Sequence, residues 1–283
     1  MGKPETGRAT LDLVLASVAA ALVLLAGAPA APTERAVSIP AGGGVTLAAT
    51  LSLPAGSGPH PAVALVGGFG PTNRDGALGG GGSGVYRELA EGLARRGVAV
   101  LRYDKRGIGD STGPNLAWLD ARPLAADAGT VARALVAMPG IDSSRVALMG
   151  HSQGGNLALR AARTAPVGRV VTLSAPGRRL GLLPRVSGAA ARLLTRLLGP
   201  EVASATLGRN PLPDAVRARQ PALLVQGTAD RTVPVSDMTR LARARERAGR
   251  PTRTLRVAGA GHFLQVEGRI PGRTLDSIAA FID

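Results

Sequence analysis

Residues 146–155 read VALMGHSQGG, and residues 156–162 continue as NLALRAA. The first part is a continuous apolar run of the length expected for a strand buried on both faces, and the second is built from helix formers. Between them stands G-x-S-x-G, made by Gly150, Ser152 and Gly154. A strand that passes directly into a helix must turn within a few residues. Glycine at those two positions lets the turn close where Cβ atoms would collide. Such a turn lifts Ser152 above the end of its strand. The motif therefore constrains architecture, a sheet with helices packed on it, and chemistry, a serine offered as a nucleophile.

A serine hydroxyl is a poor nucleophile alone and needs a base within hydrogen-bond reach, itself oriented by a third group. Residues 221–226, PALLVQ, read as a buried strand that runs into the loop 227–234, GTADRTVP, where Asp230 stands. Residues 252–258, TRTLRVA, read as a further strand ending in the Gly-rich stretch GAGHF, where His262 stands. Of the three histidines, His60 lies between two prolines and reads as a surface turn, and His151 is the first variable position of the serine motif. Asp237 is the rival acid, placed inside the helical pattern Ser236–Ala248. Residues 61–66, PAVALV, form an earlier apolar strand followed by Gly67, Gly68, Phe69 and Gly70.

The strand–G-x-S-x-G–helix segment resembles the nucleophile elbow of the α/β-hydrolases, and the resemblance runs over nearly the whole chain after residue 30. It implies a mostly parallel central sheet with helices on both faces, and a triad in the chain order serine, acid, histidine. Only His262 follows Asp230, so the triad implied is Ser152, Asp230 and His262. The oxyanion hole implied comprises the backbone N–H of Gln153 and an N–H of the 67–70 loop, with Phe69 preferred over Gly68. Gly67 stands where such loops usually carry histidine.

Three further segments narrow the resemblance to bacterial carboxylesterases of the dienelactone-hydrolase-like and acyl-aminoacyl-peptidase-like branch: GGFGPTNRDG at 67–76, GVAVLRYDKRGIGDS at 97–111 and AGAGHFLQ at 258–265. That group often has Glu after the serine, whereas this chain has Gln153. Within the second segment, Asp104 and Arg106 are expected to form an ion pair supporting the loop. Arg74 and Asp75 are expected to clasp theirs. The function implied is hydrolysis of small carboxylic esters, without cofactor or metal. The alternatives are an acyl-peptide hydrolase, a type that usually adds a propeller for which 283 residues leave no room, and a non-catalytic envelope protein on the same scaffold.

Length and composition fit one α/β domain, with 45% hydrophobic residues and no cysteine. The stretch Gly79–Gly84 formally fits G-x-G-x-x-G but follows no strand, so it is expected to be a loop rather than a dinucleotide site. Lys3 and Arg8 precede an apolar run of 14 residues, Leu13–Ala26, and Ala28-Pro29-Ala30 then fits an A-x-A site. Residues 1–30 are thus expected to be a cleaved leader and residues 31–283 an exported, secreted or envelope enzyme; an uncleaved membrane anchor is the alternative. The net charge is +15, carried almost wholly by arginine, since only Lys3 and Lys105 are lysines. With 2% aromatic residues no base-stacking platform is available, so the arginines are expected on a solvated surface and no nucleic acid is expected as partner. Residues 177–220 are expected to cap the acyl pocket, with Val186, Ala190, Leu193, Leu194 and Leu197 on one helical face.

Overall fold

The computed structural model describes residues 31–78, 81–82, 84–114, 120–179, 196 and 210–283. The leader and most of the cap lie outside them, including Val186, Ala190, Leu193, Leu194 and Leu197. Ten strands are described: β1 (Thr33–Gly42), β2 (Val45–Leu53), β3 (His60–Val66), β4 (Ala77–Leu78), β5 (Gly81–Gly82), β6 (Ala99–Tyr103), β7 (Ile141–His151), β8 (Arg169–Leu173), β9 (Ala222–Gly227) and β10 (Thr252–Val257). Six helices accompany them, numbered here α1 (Val85–Ala94), α2 (Ala121–Val136), α3 (Gln153–Ala161), α4 (Leu212–Arg217), α5 (Val235–Arg247) and α6 (Gly272–Ile282).

Eight strands form one sheet in the order β1-β2-β6-β3-β7-β8-β9-β10. The β1–β2 and β2–β6 pairings are antiparallel, and all the others are parallel. Alternation along β3 explains the layers. Ala62, Ala64 and Val66 face a core with Leu124 and Val131 of α2, Leu157 of α3 and Leu241 of α5. Val63 and Leu65 face a second core with Leu89 and Leu93 of α1 and Ile278 of α6. A strand whose two faces are both covered must be apolar at every position, which is why the 61–66 run lacks the polar alternation of a surface sheet. The fold is the one the resemblance implied. Among the described residues no helix is long and apolar enough to cross a membrane.

Topology locates the site. Strand order reverses around β3, and in open parallel sheets ligands bind beyond the carboxyl ends of strands at such a point. β3 and β7 are parallel neighbours with Val66 opposite Gly150, so the 67–70 loop and Ser152 leave the sheet side by side. β9 and β10 are likewise paired, with Gly227 opposite Val257, so the Asp230 and His262 loops emerge together.

Two local expectations are corrected. Gly79–Gly84 is not simply loop, because Gly81–Gly82 pairs with Ala77–Leu78 as a two-residue antiparallel ladder. His60 is not a surface turn but the half-buried first residue of β3. The β9 and β10 strands, and the α5 helix that carries Asp237, fall within one residue of their expected bounds.

Candidate active site

Ser152 sits between β7 and α3 with φ 54° and ψ −124°. A non-glycine residue at positive φ is strained, and such strain persists only where surrounding structure imposes it. Here the backbone N–H of Ser152 donates to Leu173 O at 2.8 Å, and Gly155 N–H donates to Ser152 O at 3.0 Å. The flanking glycines are obligatory for close approach. A Cβ on Gly150 would lie 2.1 Å from Gly154 O, and one on Gly154 would lie 2.3 Å from Val66 O. Gln153 follows as the first residue of α3, at the helix end whose N–H groups lack intrahelical acceptors.

Asp230 and His262 meet. His262 Nδ1 lies 2.8 Å from Asp230 Oδ2. A carboxylate accepts, so Nδ1 carries the proton and Nε2 is left as the basic nitrogen. Asp230 has further donors: Gln226 Nε2 at 2.9 Å on Oδ2, and the N–H groups of Thr232 and Val233 on Oδ1, each at 2.8 Å. Burial works to raise the Asp230 pKa, but donation from His262 and from Val233 N–H outweighs it and the net shift is downward. The carboxylate therefore stays ionised beside the imidazole. Gly227 makes room for this arrangement, because a Cβ there would lie 2.3 Å from Ala260 O in the histidine loop. The rival acid is engaged elsewhere: Asp237 accepts from Arg178 Nη1 at 2.5 Å.

His151 joins the parts. Its side chain is buried. Nε2 lies 3.0 Å from His262 O, so Nε2 carries hydrogen and donates to that carbonyl. Nδ1 then accepts from Tyr86 Oη at 2.9 Å. Burial, then the nearby His262, push the His151 pKa down to about 3, which keeps the ring neutral, while the His262 carbonyl, able only to accept, sets the tautomer. Tyr86 Oη in turn accepts the Gly68 N–H at 2.9 Å. His151 and His262 stand edge to face with centroids 4.8 Å apart, which brings His262 beside the residue preceding Ser152. Among the described residues no hydrogen bond yet links Ser152 Oγ to His262, and such contacts commonly tighten only when substrate is bound.

In the 67–70 loop the Gly68 N–H is engaged by Tyr86 Oη. Lys105, buried at the end of β6, donates to Gly68 O at 2.6 Å and Gly70 O at 2.5 Å. Sequence reasoning overlooked Tyr86, Lys105 and Gln226. The available signals were a polar residue closing an apolar strand, for Gln226, and a lysine in an arginine-rich chain, for Lys105.

Asp104 and Arg106 do not pair. Asp104 accepts from Arg74 N–H at 2.6 Å, Arg74 Nη1 at 2.5 Å and Asp110 N–H at 3.0 Å. Arg106 instead binds Asp127 of α2 through Nε at 2.7 Å and Nη2 at 2.5 Å. Their shared loop turns the two side chains to different partners, one to the 67–76 loop and one to a helix. Arg74 and Asp75 do clasp their loop, Asp75 by accepting from Arg102 Nε at 2.9 Å and from Arg87. The expectation of a wholly solvated arginine surface also fails at two positions, since Arg102 and Arg245 are buried. Among the described residues no group of three or more His, Asp and Glu side chains is placed to hold a metal ion.

Comparison with known proteins bears on the family and the fold. Residues 79–216 match a family described as serine aminopeptidase, S33. Esterase EstD of Thermotoga maritima is 34% identical over 130 residues, covering 46% of this chain and 30% of that protein. The chain thus spans under a third of the length of that relative. An esterase of Pyrococcus furiosus superposes with TM-score 0.68 at 18% identity, over 89% of this chain and 91% of that one. A dienelactone hydrolase of Anabaena variabilis superposes with TM-score 0.59 at 21% identity, over 89% of this chain and 95% of that one. At such identities the likeness concerns the fold.

Proposed function

We propose that this chain, a member of the α/β-hydrolase superfamily, is a serine hydrolase of carboxylic esters that works through an acyl-enzyme. The observation that carries the reading is the 2.8 Å Asp230–His262 pair, delivered by paired strands to the side of an elbow that holds Ser152 at positive φ. A fold alone supports many chemistries, and it is this set of side chains that narrows them. The esterase relatives lend support to the same choice.

In this reading Ser152 Oγ bonds to the ester carbonyl carbon while its proton passes to His262 Nε2. Asp230 holds the imidazole by Nδ1 and stabilises the imidazolium that forms. The oxyanion takes hydrogen bonds from the N–H groups of Gln153 and Phe69. Collapse breaks the carbon–oxygen bond to the alcohol, which leaves with the proton from His262. Water then repeats the sequence, giving the acid and free Ser152. Asp230 and Ser152 are buried, and His262 is partly exposed.

The match to a serine aminopeptidase family favours peptide-bond cleavage as the second reading. Purified protein assayed on p-nitrophenyl acetate and on aminoacyl p-nitroanilides separates the two. The ester reading expects turnover of the ester to dominate, and Ser152→Ala and His262→Ala each to lower kcat by about 10³-fold or more. Near-normal turnover by folded His262→Ala overturns the triad assignment, and faster turnover of the anilide favours the peptidase.

A further inference from the structure

Lys105 is a buried cation whose hydrogen bonds go to two backbone carbonyls, Gly68 O at 2.6 Å and Gly70 O at 2.5 Å. Among the described residues no carboxylate hydrogen-bonds to it. Burying an ammonium without an anionic partner is costly, and burial pushes its pKa down to about 7. Composition sharpens the point: of 34 basic residues only Lys3 and Lys105 are lysine, so a chain that otherwise uses arginine carries lysine here. A lysine ends in a compact charge, whereas arginine presents a wide planar fork.

The two carbonyls flank Phe69. Gly68 C=O belongs to the same peptide unit as the Phe69 N–H. In a trans peptide these two groups point in opposite directions. An ammonium fixed on the oxygen therefore sets the direction of that N–H. It also draws electron density from the amide, which makes the N–H a stronger donor, as hydrogen bonds in series polarise one another. On the preceding peptide the Gly68 N–H is fixed by Tyr86 Oη at 2.9 Å. The loop is thus pinned on both sides of the donor.

We propose that Lys105 is a positioning residue for the oxyanion hole, holding the Gly68 and Gly70 carbonyls so that the intervening Phe69 N–H is aimed at, and strengthened toward, the developing oxyanion. The proposal rests on the serine-hydrolase reading above, and its test keeps the two apart. Lys105 touches no reacting atom. Its effect is expected in kcat, where transition-state charge is felt, and not in KM.

Lys105→Met removes the charge and the donors with little change in volume. Removing an oxyanion donor outright costs roughly 10²–10³-fold in kcat. Loss of an indirect support is expected to cost about 10–100-fold, with KM for p-nitrophenyl acetate within about threefold. Affinity for a trifluoromethyl ketone, whose carbonyl carbon bonds to Ser152 Oγ and whose oxygen becomes an oxyanion, should fall in proportion to kcat/KM. Only three phenylalanines are present, so ¹⁵N-phenylalanine labelling gives three amide signals. The Phe69 signal of the wild-type protein should move downfield when the ketone binds. In Lys105→Met, or in Lys105→Gln should the first not fold, that movement should shrink.

Unchanged kcat in a folded Lys105 variant overturns the proposal, as does a parallel loss in KM and kcat. A wild-type Phe69 amide that ignores bound ketone overturns it without any variant. Wild-type protein that neither turns over the ester nor bonds the ketone at Ser152 instead overturns the hydrolase reading itself.

Discussion

Lys105 makes the stability of this fold depend on pH in a window where few groups titrate. Its pKa falls from 10.5 in the reference state to about 7 in the folded protein, because burial disfavours the charged form. Below the folded pKa both states carry the proton, and the folded state bears the whole cost of the buried charge. Between the two pKa values the unfolded chain binds more proton than the folded one, so stability rises with pH. Above the unfolded value the cost is gone. At 1.36 kcal/mol per pKa unit the full cost is about 5 kcal/mol, of which about 2 kcal/mol is recovered between pH 7 and 9. Urea denaturation followed by circular dichroism measures this. With a slope of about 2 kcal/mol per molar urea, the wild-type midpoint should climb by about 1 M across that interval. Lys105→Met has no such proton and should lack the climb. Parallel rises in wild type and variant would mean that the slope originates in other groups and not in Lys105.

Other consequences are equally concrete. Asp230→Asn places an amide where both His262 Nδ1 and Gln226 Nε2 donate; with the imidazole tautomer no longer held, kcat on p-nitrophenyl acetate should fall by about 10⁴-fold, and a fall of less than tenfold in a folded variant would argue against Asp230 as the orienting acid. Arg245 is buried and donates to Ala215 O at 2.7 Å, Ala218 O at 3.0 Å and Gln220 O at 2.7 Å, so it ties α4 to the start of β9. Arg245→Met should lower unfolding free energy by more than about 3 kcal/mol, since each stranded carbonyl costs about 1–3 kcal/mol, while the kcat of the folded fraction stays within about threefold. Residues 1–30 are proposed to be a cleaved leader: N-terminal sequencing of exported protein should begin at or near Ala31, and an intact chain in the membrane fraction would instead favour the anchor.

The parts of this fold set by local pattern were legible in sequence. The elbow was legible because Gly150 and Gly154 obey a steric rule that has no other solution at that turn. Asp230 and His262 were legible as the one acidic residue of the 227–234 loop and the one histidine of the 258–265 loop, each following a strand. What escaped were contacts fixed only by packing. The Asp104–Arg106 pairing failed because closeness in sequence says nothing of which loop or helix faces each side chain. Asp104 turned to Arg74, 30 residues earlier, and Arg106 to Asp127 on α2. His151 is another case, since its two partners, Tyr86 and the His262 carbonyl, come from elements 65 and 111 residues away. Arg102 and Arg245 carry charge inside because Asp75, Glu34 and a set of helix-end carbonyls were there to receive it. No periodicity signals such partners.

Activation of Ser152 as a nucleophile is read by covalent labelling without any choice of substrate. Full-length protein treated with a fluorophosphonate should gain one adduct, which tandem mass spectrometry should locate on Ser152. His262→Ala should slow that labelling by at least about 10²-fold, because the proton from Oγ then has no acceptor. An adduct at another residue, or labelling that proceeds unchanged without His262, would contradict the account.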